Sequence, residues 1–125
     1  MNESYLITNY LAKLVKNNPS ALKLNDDVFF DKKNKNVISV DTYVEKIHFP
    51  NFKKSNLLIK KIIRSSISDL ICKGVIPKYY FISGSGNKHS FSSKNFKKII
   101  NSLKSEQKKF CIKLSGGDTV FSKIN

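Results

Sequence analysis

The sequence has little of several residues that mark particular classes of protein. It contains no tryptophan, and only two cysteines, three prolines and five glycines among 125 residues. Cys72 and Cys111 lie far apart without a CxxC pair, which argues against both a disulfide framework and a zinc site. No apolar run approaches the ~20 residues of a bilayer-spanning helix, so we expect no membrane partner. Polar residues interrupt segment 1–18 every two or three positions, unlike a signal peptide, and we expect a cytoplasmic protein.

Acidic residues are also scarce. Nine Asp and Glu stand against 23 Lys and Arg, which gives a formal net charge of +14 at pH 7. Such a charge raises the question of a nucleic acid partner. However, Arg64 is the only arginine, although arginine is the residue that makes forked contacts with phosphates and bases. Because the lysines are scattered, the composition argues against nucleic acid and leaves a basic binding module as an alternative.

The few carboxylates have a common setting. Five of the six aspartates lie near the ends of predicted elements: Asp26, Asp27, Asp41, Asp69 and Asp118. Magnesium binds one or a few carboxylates together with phosphate oxygens, so one interpretation is a set of metal ligands. The other is that aspartate is a common turn and cap residue. The helix dipole disfavours Asp69, and the compensating charge is either Lys73 or a divalent cation.

Apolar periodicity and turn residues predict the secondary structure. The predicted elements are a helix at 4–16, a hairpin of strands at 28–30 and 37–40, a helix at 56–73, a strand at 79–82, a helix at 92–108 and a strand at 110–114. Asn56 is a candidate N-cap of the longest helix, and Gly74 and Pro77 are expected to end it. This order, β-β-α-β-α-β after an N-terminal helix, predicts an α+β fold with a mixed β-sheet and helices packed on one face.

Two segments that contain glycine are predicted to form turns. Residues 115–119, Ser-Gly-Gly-Asp-Thr, follow an apolar strand, and their backbone amides can surround an anion while Asp118 holds a metal ion. An ordinary glycine turn is the alternative interpretation. Residues 83–87 predict a plain turn. The sequence has no nucleophile elbow, Walker lysine or HExxH motif, so we assign no catalytic side chain.

Four segments together are more specific than any one of them. ALKLNDD, DTYVEKIHFP, ISDLICKGVIPKYYF and LSGGDT occur in this order over nearly the whole chain. They resemble the N-terminal domain of thiamine-monophosphate kinase, whose pattern is G-[DN]-D, DTLVEGVHF, NLSDLAAMGA-P and GGDT. That family belongs to a superfamily of ATP-using enzymes with aminoimidazole ribonucleotide synthetase, selenophosphate synthetase and a hydrogenase maturation protein. The DT…HF segment points to the thiamine-phosphate branch.

The resemblance implies an activity and a set of site residues. The implied reaction transfers the γ-phosphoryl group of ATP to thiamine monophosphate, which yields thiamine diphosphate. The positions that match magnesium ligands are Asp27, Ser39, Asp41, Asp69 and Asp118. Gly117 and Asp118 match the ATP-binding glycine turn, and His48 matches a residue that contacts thiamine monophosphate. Positioning and metal neutralisation would then supply the catalysis.

The resemblance also implies an organisation. Residues 1–125 are expected to form a single N-terminal ATP- and magnesium-binding domain, incomplete at its C-terminus, with the second domain of the family absent. A homodimer through this domain is expected. The sequence departs from the family pattern at Asn25, Val40 and Lys46, and Lys46 replaces a glycine near His48. The alternatives are another ATP-using member of the superfamily, or a non-catalytic basic binding or dimerisation module.

Overall fold

The order of the helices and strands agrees with the α+β fold predicted from the sequence. The structure, a computed structural model, describes residues 2–123. Within this range the elements are α1 (Glu3–Leu6), β1 (Val28–Asp31), β2 (Asn36–Ser39), α2 (Ser55–Cys72), β3 (Tyr79–Gly86), α3 (Ser93–Phe110) and β4 (Lys113–Phe121). A π-helical turn at Ile7–Leu11 and 3-10 turns at Pro19–Leu24 and Phe52–Lys54 lie between them. No helix of the described chain is long and apolar enough to cross a membrane.

The described strands form two separate two-stranded sheets, one antiparallel and one parallel, rather than one continuous mixed sheet. β1 and β2 are the predicted hairpin, and their pairing runs from Val28 opposite Ser39 to Asp31 opposite Asn36. The Asp31 carboxylate stabilises the turn, because it accepts hydrogen bonds from the Asn34 amide at 3.2 Å and from Asn34 Nδ2 at 2.7 Å. β3 and β4 are parallel, and α3 provides the crossover between them.

The hydrophobic core lies between the two long helices and one face of the parallel sheet. Its buried members are Ile59, Ile63 and Ile67 of α2, Ile99 and Leu103 of α3, and Ile112. The α2 residues recur every four positions and therefore share one side of the helix. Tyr80 and Ile82 of β3 pack against the same cluster, while Tyr79 and Phe81 point to the exposed face. The prediction that helices cover one face of a sheet is confirmed for β3, whereas every residue of β4 is exposed.

One ion pair joins α2 to α3 beside this core. The guanidinium of Arg64 donates from Nε to Glu106 Oε2 at 2.8 Å and from a terminal nitrogen to Oε1 at 3.0 Å. The Glu106 side chain is 1% exposed and that of Arg64 is 45% exposed. The hydrogen bonds from Arg64 hold the pKa of Glu106 below its ordinary value, against the opposing effect of burial. The buried carboxylate of Glu106 is tolerated because the guanidinium of Arg64 donates a hydrogen bond to each of its two oxygens.

The predicted N-terminal helix at 4–16 is wrong beyond its first turns. The α-helix ends at Leu6, a π-helical turn continues to Leu11, and only turns follow as far as residue 17. Its apolar side chains remain exposed, namely Tyr5, Leu6, Tyr10, Leu11 and Leu14. A short helix is marginal without a packed apolar face, so the periodic pattern alone does not stabilise it.

Both predicted glycine turns are strand in the structure. Residues 83–86 belong to β3 and residues 115–119 belong to β4, which begins at Lys113 instead of residue 110. α3 extends through Phe110, and Cys111 ends it in the left-handed conformation with φ 54°. Parallel pairing between the two segments explains the difference, because the backbone N–H and C=O groups of each segment form hydrogen bonds with the other strand.

The ends of α2 are partly as predicted. Gly74, with φ 70°, and a hydrogen bond from the Val75 amide to the Leu70 carbonyl end the helix in the expected way. The prediction that Asn56 caps it is wrong, because α2 already begins at Ser55. The Ser55 side chain is fully buried, and its hydroxyl donates to the Asn95 carbonyl of α3 at 3.5 Å. Burial against α3 has fixed the start of the helix.

Gly117 provides a test of the strand pairing. A Cβ at this position would collide with the backbone carbonyl of Ile82, and its φ of 157° already disfavours a side chain. At Gly74, with φ 70°, a Cβ would meet no atom within 4 Å. We expect Gly117→Ala to lower the free energy of unfolding by at least about 3 kcal/mol. The control Gly74→Ala should cost about 1–2 kcal/mol. Urea unfolding measures both, and equal losses would contradict the close approach of β4 to β3.

Glu106 predicts a dependence of stability on pH. Its pKa in the folded chain lies below the reference value of 4.5, so its contribution is present above that pH and is lost as the pH falls through the folded pKa. We expect the unfolding free energy to fall between about pH 5 and pH 3, and Glu106→Gln to make that fall smaller. The exposed control Glu3→Gln should leave it unchanged. Thermal unfolding at several pH values measures this fall in stability. An identical fall in the unmodified chain and in Glu106→Gln would refute this role.

Candidate functional site

Three polar side chains occupy one side of α2 and contact the hairpin region. Ser66, Asp69 and Lys73 are spaced by three and four residues, which places them on one helical face. The Ser66 hydroxyl donates to Asp41 Oδ2 at 2.8 Å, and Asp69 Oδ2 accepts from the Ser39 hydroxyl at 3.2 Å. Lys73 Nζ lies 2.5 Å from an oxygen of Asp26. We call these six residues the polar strip: Asp26, Ser39, Asp41, Ser66, Asp69 and Lys73.

The geometry of strand and helix explains why the first two pairs form together. Ser39 and Asp41 are two positions apart in an extended chain, which separates them by roughly 6.6 Å on the same side. Ser66 and Asp69 are about one turn apart on α2, at roughly 5–6 Å between their Cβ atoms. The two spacings match, so both pairs can be satisfied at once. Asp41 and Asp69 are thereby each held by a hydroxyl donor where the hairpin region meets α2.

The pair of Lys73 with Asp26 shows that Lys73 is not the charge that compensates Asp69. Lys73 was one candidate to compensate this carboxylate, but the structure pairs Lys73 with Asp26, while Asp69 accepts a hydrogen bond from Ser39. The hydrogen bond from Lys73 lowers the pKa of Asp26, and the same bond raises the pKa of Lys73. The neighbouring charge of Asp27 raises the pKa of Lys73 further. Asp27 therefore lies at the Lys73 end of the polar strip.

The loop that follows Asp41 holds His48 in a defined orientation. The Val44 amide donates to His48 Nδ1 at 2.9 Å, and Lys61 Nζ of α2 donates to the His48 carbonyl at 2.7 Å. The Tyr43 ring meets the His48 ring edge-on, with centroids 5.8 Å apart. The Tyr43 hydroxyl donates to Asp41 Oδ2 at 3.4 Å. Tyr43 thus connects the predicted substrate residue His48 with the predicted metal ligand Asp41.

Lys46 adopts a backbone conformation that favours glycine. Its φ is 65°, in the left-handed region, and its amide donates to the Phe49 carbonyl at 2.6 Å. A lysine adopts this conformation at a cost of roughly 1–2 kcal/mol that glycine avoids. The Lys46 side chain is exposed, so it does not fill the loop around His48.

Gly117 and Asp118 lie in a different part of the fold. Both belong to β4, where Gly117 pairs with Ile82 and Asp118 pairs with Ser83 of β3. Asp118 is exposed, and one of its oxygens accepts a hydrogen bond from the Thr119 amide at 2.8 Å. The structure therefore brings Ser39, Asp41 and Asp69 together, and Asp118 pairs with β3 rather than with the hairpin. The anion-binding turn predicted at 115–119 is strand here.

The oxygen donors of the polar strip suit a hard cation only in part. Among residues 2–123, no three His, Cys, Asp or Glu side chains form a group that could hold a metal ion. Magnesium, however, is usually bound by one or two carboxylates, with water and substrate phosphates as its other ligands. Asp41 and Asp69 fit that requirement. Asp26 does not fit it, because Lys73 already engages its carboxylate.

Several residues of this region were not assigned a role from the sequence. Tyr43 and Lys61 act through contacts that depend on how the loop folds back on α2, and no local pattern reveals those contacts. Ser66 could have been found, because a hydroxyl one turn before Asp69 shares its helical face. From the sequence, Lys73 was one of two candidates to compensate Asp69, whereas in the structure it pairs with Asp26.

Comparison with known proteins identifies the family. The family model for the N-terminal domain of AIR synthase-related proteins matches residues 22–125. Because this match covers most of the sequence, the chain belongs to that family. No curated protein and no solved structure gave a match.

The hydrogen bond at His48 Nδ1 predicts which ring nitrogen carries the proton. An acceptor nitrogen has no hydrogen, so the neutral imidazole must be protonated at Nε2, which is then available as a donor. We expect nitrogen-15 NMR of the neutral ring to show a protonated Nε2 and a bare Nδ1. Lys61→Met should mix the two tautomers, because the loop loses its tie to α2, whereas the exposed control Lys104→Met should not. A ring protonated at Nδ1 in the unmodified chain would contradict this orientation.

Proposed function

We propose that this member of the AIR synthase-related family, a family of ATP-using enzymes, is the ATP-binding domain of a thiamine-phosphate kinase. The reaction would transfer the γ-phosphoryl group of ATP to thiamine monophosphate, in the cytoplasm, as a step of thiamine diphosphate synthesis. One observation carries the proposal. Asp41, held by a hydroxyl donor, begins the loop that orients His48, and Tyr43 contacts both Asp41 and His48. Asp69 on α2 is likewise held by the hydroxyl of Ser39, two residues before Asp41.

The proposal assigns magnesium to Asp41 and Asp69. Bound there with ATP, magnesium would neutralise charge on the phosphate oxygens. Ser66 and Ser39 orient the two carboxylates and satisfy one oxygen of each, which leaves the remaining lone pairs for ligands. Ser39 is itself proposed as a further magnesium ligand through its hydroxyl oxygen. His48, with Nδ1 engaged by the loop, would donate from Nε2 to a phosphate oxygen of the substrate. No side chain needs to form a covalent bond, since positioning and charge neutralisation carry phosphoryl transfer.

The other residues enter the proposal through the resemblance alone. Asp27 is proposed as a further magnesium ligand, Asp118 as both a magnesium and an ATP ligand, and Gly117 as an ATP contact. Asp27 stands at the Lys73 end of the polar strip, and Gly117 and Asp118 stand in β4. All are exposed and accessible to a nucleotide.

We propose that the chain forms a homodimer through its parallel sheet. The support is a set of large apolar side chains exposed on β3 and β4, of which Tyr79, Phe81 and Val120 share the face directed away from Tyr80 and Ile82. A soluble chain that exposes contiguous apolar side chains on a sheet usually covers them with a partner. A second copy would cover them without engaging the polar strip, which lies on α2 and the hairpin.

Two alternative functions can be distinguished from the proposed kinase. Another ATP-using enzyme of the family would share the nucleotide site but act on a different acceptor; the loop from Asp41 to His48 favours thiamine monophosphate. A non-catalytic basic binding or dimerisation module is favoured only by the net charge of +14. If that module bound nucleic acid, its affinity would fall steeply as salt increases, whereas magnesium-dependent nucleotide binding requires specific carboxylates.

The decisive experiment is calorimetric titration with a non-hydrolysable ATP analogue, with and without magnesium. We expect binding only with magnesium, and Asp41→Asn or Asp69→Asn should each weaken it at least about tenfold, equivalent to about 1.4 kcal/mol. Glu3→Gln removes the same charge at an exposed site on α1 and should leave affinity unchanged. Circular dichroism verifies that each variant is folded, and sedimentation of the same samples reports the dimer.

The opposite results are equally informative. Binding that ignores magnesium, or that survives both aspartate substitutions in folded chains, would refute the assignment of Asp41 and Asp69. Absence of nucleotide binding by the folded chain would refute the proposed function itself.

A further inference from the structure

Lys73 holds the acidic loop before β1 against the end of α2. Its ammonium group lies 2.5 Å from Asp26 Oδ2, with the two side chains 40% and 28% exposed. The backbone amides of Asp27 and Val28 also help to lower the pKa of the Asp26 carboxylate, after the larger effect of Lys73. Lys73 follows directly on the last residue of α2, where a cation is favoured by the helix dipole. The loop and the helix are thus joined by a single cation.

The surroundings of Lys73 combine an acidic and an apolar part. Asp26 and Asp27 are adjacent carboxylates in a chain that has only nine acidic residues, and both raise the pKa of Lys73. Beside the ion pair is a pocket of about 240 Å³. Its lining residues are Leu22, Asp26, Val28, Phe30, Val37 and Lys73. The aliphatic part of Lys73 therefore packs on apolar walls while its charge meets the carboxylates.

We propose that Lys73 is a built-in cation, which occupies the Asp26 carboxylate, next to Asp27, in place of a divalent ion. A magnesium ion would then have to displace this ammonium group before binding at this end of the polar strip. Asp41 and Asp69, whose partners are neutral hydroxyls, remain open to a metal ion. The inference rests on the proposed function only in taking magnesium as a ligand of the chain.

The chemistry of lysine supports this role. Lys73 places a positive charge on Asp26 and beside Asp27, two of only nine acidic residues in the chain. Lysine suits this use, since its ammonium is a point charge on a flexible stem that can move aside.

The test is a magnesium titration followed by amide NMR in the chain and in Lys73→Met. In the unmodified chain without nucleotide, we expect millimolar magnesium alone to leave the amides of Asp26, Asp27 and Val28 unshifted, because it does not displace Lys73. In Lys73→Met the same amides should shift, with an apparent affinity at least about tenfold higher. Lys78→Met, which removes one exposed positive charge just before β3, should behave as the unmodified chain. Methionine keeps the stem that lines the pocket, and Lys73→Gln is a second neutral variant if Lys73→Met unfolds.

Two results would overturn the inference. Equal shifts at Asp26–Val28 in the unmodified chain and in the variant would show that Lys73 does not compete with magnesium. Absence of shifts there in every folded variant would show that these carboxylates form no cation site. The amides near Asp41 and Asp69 report separately on the proposed magnesium site, so its failure is distinguishable from failure at Lys73.

Discussion

The packing of α2 against α3 is the constraint on which the rest of the structure depends. Glu106 is buried at this contact, and a buried carboxylate is stable only where a cation satisfies it. The single arginine of the chain supplies that cation from α2. Together with Ile59, Ile63 and Ile67, Arg64 fixes which side of α2 faces the core. The rotation of α2 then decides that Ser66, Asp69 and Lys73 face the hairpin.

Local patterns predicted much of this arrangement. The isoleucines of α2 recur at helical spacing, and the Asp-Lys-Lys-Asn turn separates two short apolar runs, so the long helix and the hairpin could both be found from the sequence. The resemblance to a family pattern also singles out Ser39, Asp41 and Asp69, which the fold places where the hairpin region meets α2. These features depend on residues close in the chain, where propensity and spacing act directly.

The remaining features depend on contacts between distant segments. The apolar residues around Tyr10 have helical spacing but no packing partner among the described residues, so the helix stops early. Gly117 looked like a turn residue until its pairing with Ile82 placed it in a strand. Lys73 lies one turn after Asp69, yet the hairpin brings Asp26 closer to it. In each case tertiary contact overrode a local preference.

The attachment of the hairpin has a consequence for how the molecule opens. β1 and β2 form their own small sheet and contact α2 through the exposed or half-buried hydrogen bonds of the polar strip, whereas β3 and α3 share the apolar core with α2. Segments held by few buried apolar contacts separate from a protein at lower free energy than the whole chain unfolds. The hairpin can therefore separate from α2 while the core stays folded, and it is held by the same hydroxyls and carboxylates that would bind a ligand. A ligand bound there would raise the protection of the hairpin amides from hydrogen exchange without altering the core.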